Sequence, residues 1–114
     1  MIRNRRTDMT VIALLSVAPV TEGGMSEDVA DAVAALDDFD VSYETNPMGT
    51  VIEAEDIDTL LEAVGAAHTA VEADRVSTLL KIDDKRTVDQ RAQEKVDDVE
   101  AVLGREAKRR RERE

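Results

Sequence analysis

Residues 9–18, MTVIALLSVA, are aliphatic or β-branched with hardly a polar interruption. Side chains alternate along a strand. Val11, Ala13, Leu15 and Val17 therefore share one face, and Ile12, Leu14 and Ala18 share the other. A strand apolar on both sides belongs inside a sheet whose two faces are covered. Val51-Ile52 and Leu79-Leu80 repeat the same two-sided pattern further along the chain.

The remaining elements follow from periodicity and turn chemistry. Pro19 ends the first run, and TEGG is turn-rich. Ser26 is placed as an N-cap, with Glu27 and Asp28 in the first turn of a helix whose apolar stripe is Val29, Ala32, Val33 and Leu36. Phe39, Val41 and Tyr43 alternate with Asp40, Ser42 and Glu44, which predicts a strand with one wet face. Asn46-Pro47-Met48-Gly49 reads as a turn, and Thr50 to Ala54 as the next strand. Ile57, Leu60, Leu61, Val64, His68 and Val71 mark a second amphipathic helix, and residues 75–82 (RVSTLLKI) a fourth strand. Thr87 and Gln90 have the spacing of a capping box ahead of a last helix carrying Val88, Ala92, Val96, Val99 and Leu103, which Gly104 stops.

The order β-α-β-β-α-β is the split βαβ, or ferredoxin-like, pattern of an α+β sandwich, here with an added C-terminal helix. In that fold both helices lie on one face of a four-stranded antiparallel sheet. The last helix covers part of the second face, and a second subunit packing sheet against sheet is the simplest way to cover the rest. A homo-oligomer, a dimer or a dimer of dimers, is expected.

At 114 residues the chain suits one domain. Residues 9–104 are assigned to it, residues 1–8 to a disordered N-terminal extension with Met9 as a candidate start, and residues 105–114 to a basic, charged tail. Charge is unevenly divided. The net value is −11, but residues 1–8 carry +2 and the tail +3, leaving −16 on the body. A body of that sign repels nucleic acid and anionic membranes. The acids are spread through every element, as expected of a surface adapted to high salt; an acidic docking face for a basic partner is the rival reading. No apolar run approaches the ~18 residues of a membrane span, and a cytoplasmic protein is expected. With no cysteine and one histidine, thiolate zinc sites and cysteine nucleophiles are excluded, and an ordinary transition-metal site is not expected.

Glu53 is the residue that asks for an explanation, because a carboxylate in an otherwise apolar strand is costly to bury unless something pairs with it. One reading is structural, an ion pair with Arg75, Lys81 or a partner chain. His68 reads as a packing residue at the edge of its stripe, and Gly23-Gly24 as a weak anion nest among acids. No Ser-His-Asp arrangement, phosphate loop or metal-ligand spacing supports an enzyme.

The strings SVAP, NPMGTVIEAE, RVSTLLKIDDKR and TVDQRAQEKV resemble the small thiamine-binding (YkoF-like) family over nearly all of residues 9–104. PMGT-x-IE is the most specific part. The resemblance implies a ferredoxin-like oligomer that binds thiamine, or its hydroxymethylpyrimidine portion, without transforming it and without a cofactor. Three departures stand out: PVTEGG replaces a compact Pro-x-Gly turn, Ala54 a glycine, and Asp98 a serine. The first of these alters a pocket rim.

For a small cationic ligand of that kind, Glu53 is the candidate to accept from the amino group or to offset the charge, at roughly 1.5–3 kcal/mol for a charged hydrogen bond. Thr50 and Ser16 offer hydroxyls that donate and accept, Asn46 an amide, Met48 a soft surface for a ring, and Tyr43 the one phenol. In a regular strand Thr50 and Glu53 point to opposite faces, so a shared pocket requires a bulge or a wall from a neighbouring subunit. A metabolite-sensing or protein-interaction module on the same fold is the alternative function.

Overall fold

The structure is a computed structural model, and it describes residues 10–112. Strand β1 (Val11–Pro19) is followed by helix α1 (Ser26–Ala35), which tightens into a single 3-10 turn at Leu36–Asp38. The hairpin β2 (Val41–Asn46) and β3 (Gly49–Ala54), helix α2 (Ile57–Ala70), strand β4 (Val76–Asp84) and helix α3 (Ala92–Leu103) complete the chain. The sheet order is β2-β3-β1-β4, all antiparallel. This is the ferredoxin-like sandwich with the added C-terminal helix expected from the sequence. The proposed extension at residues 1–8 lies outside the described residues, as do the last two residues of the tail.

Register assigns every strand residue to a face, because directly paired residues point the same way. Leu15 pairs with Thr50 and Leu80, and Ala13 with Ile52 and Ile82. That face carries the core: Val11, Ala13, Leu15, Val17, Ile52 and Ala54 from the sheet, closed by Ala32 and Leu36 on one side and by Leu60, Ala63, Val64 and Ala67 on the other. Ile52, Leu60, Ala63 and Ala67 are completely buried. Asp56 starts α2 by accepting from the Thr59 amide at 2.7 Å.

The second face behaves differently. Ile12, Leu14, Ser16 and Ala18 are only half-buried there, and Leu79 is 58% exposed. No residue of α3 is buried, and Val96, Val99 and Leu103 remain exposed. The two-sided apolar pattern is therefore present, but within one chain α3 covers this face incompletely.

Three local expectations change. Ser26 is the first helical residue of α1 rather than its cap: Met25 flanks the helix, no side chain caps it, and Val29 donates to the Met25 carbonyl at 2.9 Å. The Thr87–Gln90 capping box does not form. The helix begins at Ala92, and the Gln90 amide reaches Asp98 at 3.0 Å instead. A side chain from the sheet has taken over the capping, as described below. Strand β4 runs on to Asp84, two residues past its expected end, because it pairs with β1 along the whole of that strand. The glycine stop is as expected, with Gly104 left-handed at φ 78° and donating to the Glu100 carbonyl at 2.8 Å.

Candidate functional site

A cavity of about 160 Å³ opens between α1 and the end of the sheet where the β2–β3 hairpin turns. Its walls are mainly apolar: Leu15 and Val17 from β1, Met25 just ahead of α1, Val29, Ala32 and Val33 from α1, and Leu36 beyond it. The helical stripe read from the sequence is thus core on one side and cavity wall on the other. Asn46, Pro47, Met48, Gly49 and Thr50 supply the hairpin side.

Local chemistry shapes that hairpin. The Asn46 carboxamide oxygen accepts from the Met48 amide at 2.9 Å, the bond of an Asx turn, and its NH₂ group is left to donate. Gly49 packs against β1 so closely that a Cβ there would sit 2.8 Å from the Leu15 carbonyl oxygen. Only glycine allows that approach. Met48 is 81% exposed at the rim.

Thr50 is buried at 5% exposure, and its hydroxyl lies 2.9 Å from that of Thr45. Two hydroxyls so paired spend one proton on each other. The second proton and the remaining lone pairs are available to a ligand. Thr45 was not singled out from the sequence, although the alternation of Val41 and Tyr43 continues to it and sets it on the same face as Thr50.

The six candidate residues do not all meet. Thr50, Asn46, Met48 and Ser16 border the cavity, Ser16 from a strand position whose alternation belongs to the second face. Tyr43 lies outside it, in a shallow groove that continues along α1 and shares Met25, Val29, Val33 and Thr45 with the cavity. The Tyr43 hydroxyl donates to Asp37 Oδ1 at 2.7 Å. That hydrogen bond, with burial and the carboxylate charge behind it, raises the phenol above its ordinary pKa of 10.0.

Glu53 is on the other face of the sheet. The β1–β3 and β2–β3 ladders run without a bulge through Thr50 to Ala54, so within one chain Glu53 and Thr50 do not share a pocket. Glu53 Oε2 accepts from the Ala92 backbone amide at 3.0 Å and from Arg91 Nε at 3.2 Å, and Oε1 accepts from Arg91 Nη2 at 3.4 Å. It caps α3 and pairs with the residue that precedes it. The bonds to Glu53 push the Arg91 guanidinium up from its already high pKa. Of the structural pairings the sequence offers, with Arg75, Lys81 or a partner chain, neither of the first two forms; within the chain the partner is Arg91, 38 residues away. Lys95 pairs with Asp83 on the same face, and Thr10 donates to Asp89 at 2.7 Å. His68 is exposed on α2 with Nδ1 hydrogen-bonded to the Thr78 hydroxyl.

Among the described residues no group of three or more His, Cys, Asp or Glu side chains is arranged to hold a metal ion, and no helix is long and apolar enough to cross a membrane. Fold and cavity together define a small ferredoxin-like module with a mainly apolar, hydroxyl-floored recess beside its first helix. The chain belongs to the thiamine-binding protein family, which it matches over residues 13–100. It is 47% identical over 98 residues to a UPF0045 protein of Methanothermobacter thermautotrophicus, covering 82% of this chain and 99% of that one. A hypothetical protein of Methanocaldococcus jannaschii superimposes with a TM-score of 0.74 at 34% identity, over 79% of this chain and 95% of its own. A protein of Thermotoga maritima named as a candidate for thiamine biosynthesis or salvage superimposes with a TM-score of 0.69 at 25% identity, over 79% of this chain and 98% of its own.

Proposed function

We propose that the protein binds thiamine or its hydroxymethylpyrimidine half in the cavity beside α1, holds it without chemical change, and works as a homo-oligomer. The observation that carries this reading is the part-buried hydroxyl pair, buried Thr50 with exposed Thr45, in a mainly apolar recess. An aminopyrimidine has ring nitrogens that accept and an amino group that donates, and a hydroxyl pair with one free proton and free lone pairs suits such a mixed edge. The Asn46 amide supplies a further donor at the hairpin, Ser16 a hydroxyl at the border, and Met48 a polarisable side chain able to fold from the rim onto a ring. A cavity of about 160 Å³ matches a single ring, since an engineered apolar cavity of roughly 150 Å³ accepts benzene.

Glu53 takes the structural part in this reading, holding α3 on the second face. The exposed Leu79, Val96, Val99 and Leu103 on that side support a second copy packing there, in a dimer or a dimer of dimers. The family relationship supports a thiamine-related ligand.

Calorimetric titration of the full chain with thiamine and with hydroxymethylpyrimidine tests the proposal, with light scattering of the same sample for the oligomer. Saturable binding is expected, weakened roughly two- to tenfold by Thr50→Val, the change that removes one hydroxyl at nearly constant shape. No heat with either compound from a folded protein would overturn it.

A further inference from the structure

The cavity is too small for all of a two-ring ligand, and the groove that continues from it has a chemistry of its own. Met25, Val29, Val33 and Thr45 border both, so the groove continues the cavity along α1. Beyond them stand Tyr43 and Asp37. Among the described residues, Asp37 is the one charged residue that lines the groove. Its Oδ1 is held by the Tyr43 hydroxyl at 2.7 Å, which orients the carboxylate and leaves Oδ2 without a protein hydrogen bond among the described residues. An apolar trough ending in an oriented carboxylate fits a flat organic cation: the ring lies against the aliphatic wall and the phenol while its charge faces the acid.

We infer that the groove bordered by Tyr43 and Asp37 is a second subsite, which takes the positively charged ring of a two-ring ligand whose neutral ring occupies the cavity. This rests on the reading of the cavity given above and deepens it. Asp37 makes the protein discriminate between the intact cation and its uncharged half, a distinction the cavity walls alone do not provide. Because Asp37 is exposed, the discrimination is modest and fades as salt screens it.

The test compares thiamine, a cation, with uncharged hydroxymethylpyrimidine by calorimetry at low and high salt, using the full chain, Asp37→Asn and Asp38→Asn. Asp38→Asn removes the same charge one residue away and outside the groove lining. Asp37→Asn is expected to lower thiamine affinity about two- to fivefold at low salt, the range of an exposed ion pair, with the pyrimidine unaffected and Asp38→Asn near wild type. Equal losses in the two variants, an equal loss for both ligands, or no loss in Asp37→Asn would overturn the subsite while leaving the cavity reading in place. If the unmodified protein binds neither compound, both readings fall together.

Discussion

The two faces of the sheet are built from similar residues and held in opposite ways. On the α1/α2 face the aliphatic side chains are sealed, with Ile52 and Leu60 at 0% exposure. On the α3 face equally apolar side chains stay half open. The helix there is secured by charged and polar contacts: Glu53 to Arg91 and Ala92, Lys95 to Asp83, Thr10 to Asp89. Burial is worth roughly 25 cal/mol per Å² of apolar surface, whereas exposed ion pairs contribute about 0–1 kcal/mol each. One face is therefore fixed within the single chain. The other is provisional until something covers it.

That contrast can be broken most decisively in the core. Leu60→Ala is expected to cost about 2–5 kcal/mol in denaturant unfolding. Val99→Ala on α3, at 56% exposure, is expected to cost less than about 0.5 kcal/mol in an isolated chain. A larger and concentration-dependent cost for Val99→Ala would show the second face to be covered in solution by another copy.

A middle-sized effect belongs to Glu53. Its carboxylate is 18% exposed, and Glu53→Gln keeps the shape while losing the charge that faces Arg91 and the start of α3. We expect a loss of about 1 kcal/mol, with amide hydrogen exchange accelerating along α3 more than in β1 or α2. Thiamine affinity should change little in this variant, because Glu53 and the cavity lie on opposite faces. A large loss of affinity with α3 still protected would mean that a neighbouring subunit brings Glu53 to a ligand after all.

The smallest effect is a pH dependence. The Lys95 ammonium holds Asp83 below its ordinary pKa of 3.8. The unfolded chain therefore takes up this proton before the folded one does, so acidification works against the fold. The contribution is intact above about pH 4 and is lost as the pH falls through the depressed value. Hydrogen exchange of α3 followed below pH 4 should show it, Lys95→Gln should remove it, and high salt should blunt it. A matching loss of protection in α2, whose residues Ile57–Ala70 make no ion pair among the described residues, would count against the assignment.

Much of this was legible in the chain. Element order and fold class followed from periodicity, because a strand and an amphipathic helix each declare their buried face locally. The segment Asn46 to Thr50 was legible as well: turn chemistry placed the hairpin, and the hairpin borders the cavity. Thr45 was within reach through simple alternation. The helix boundary at Ala92 was not. A local capping signal at Thr87 and Gln90 competed with a carboxylate from β3 and lost. No feature of residues 87–92 reveals that Glu53 is near.

The amino-acid sequence by itself determined the βαββαβ order, the two-sided apolar strands, the acidic body and the turn that shapes the recess, since each depends on neighbours within a few residues. Only the tertiary structure decided that no bulge brings Thr50 and Glu53 to one face, that Arg91 rather than Arg75 or Lys81 answers Glu53, and that Tyr43 turns to Asp37. Those pairings depend on strand register and on where a helix docks. Both are set by the packing of the whole core rather than by any short stretch of chain.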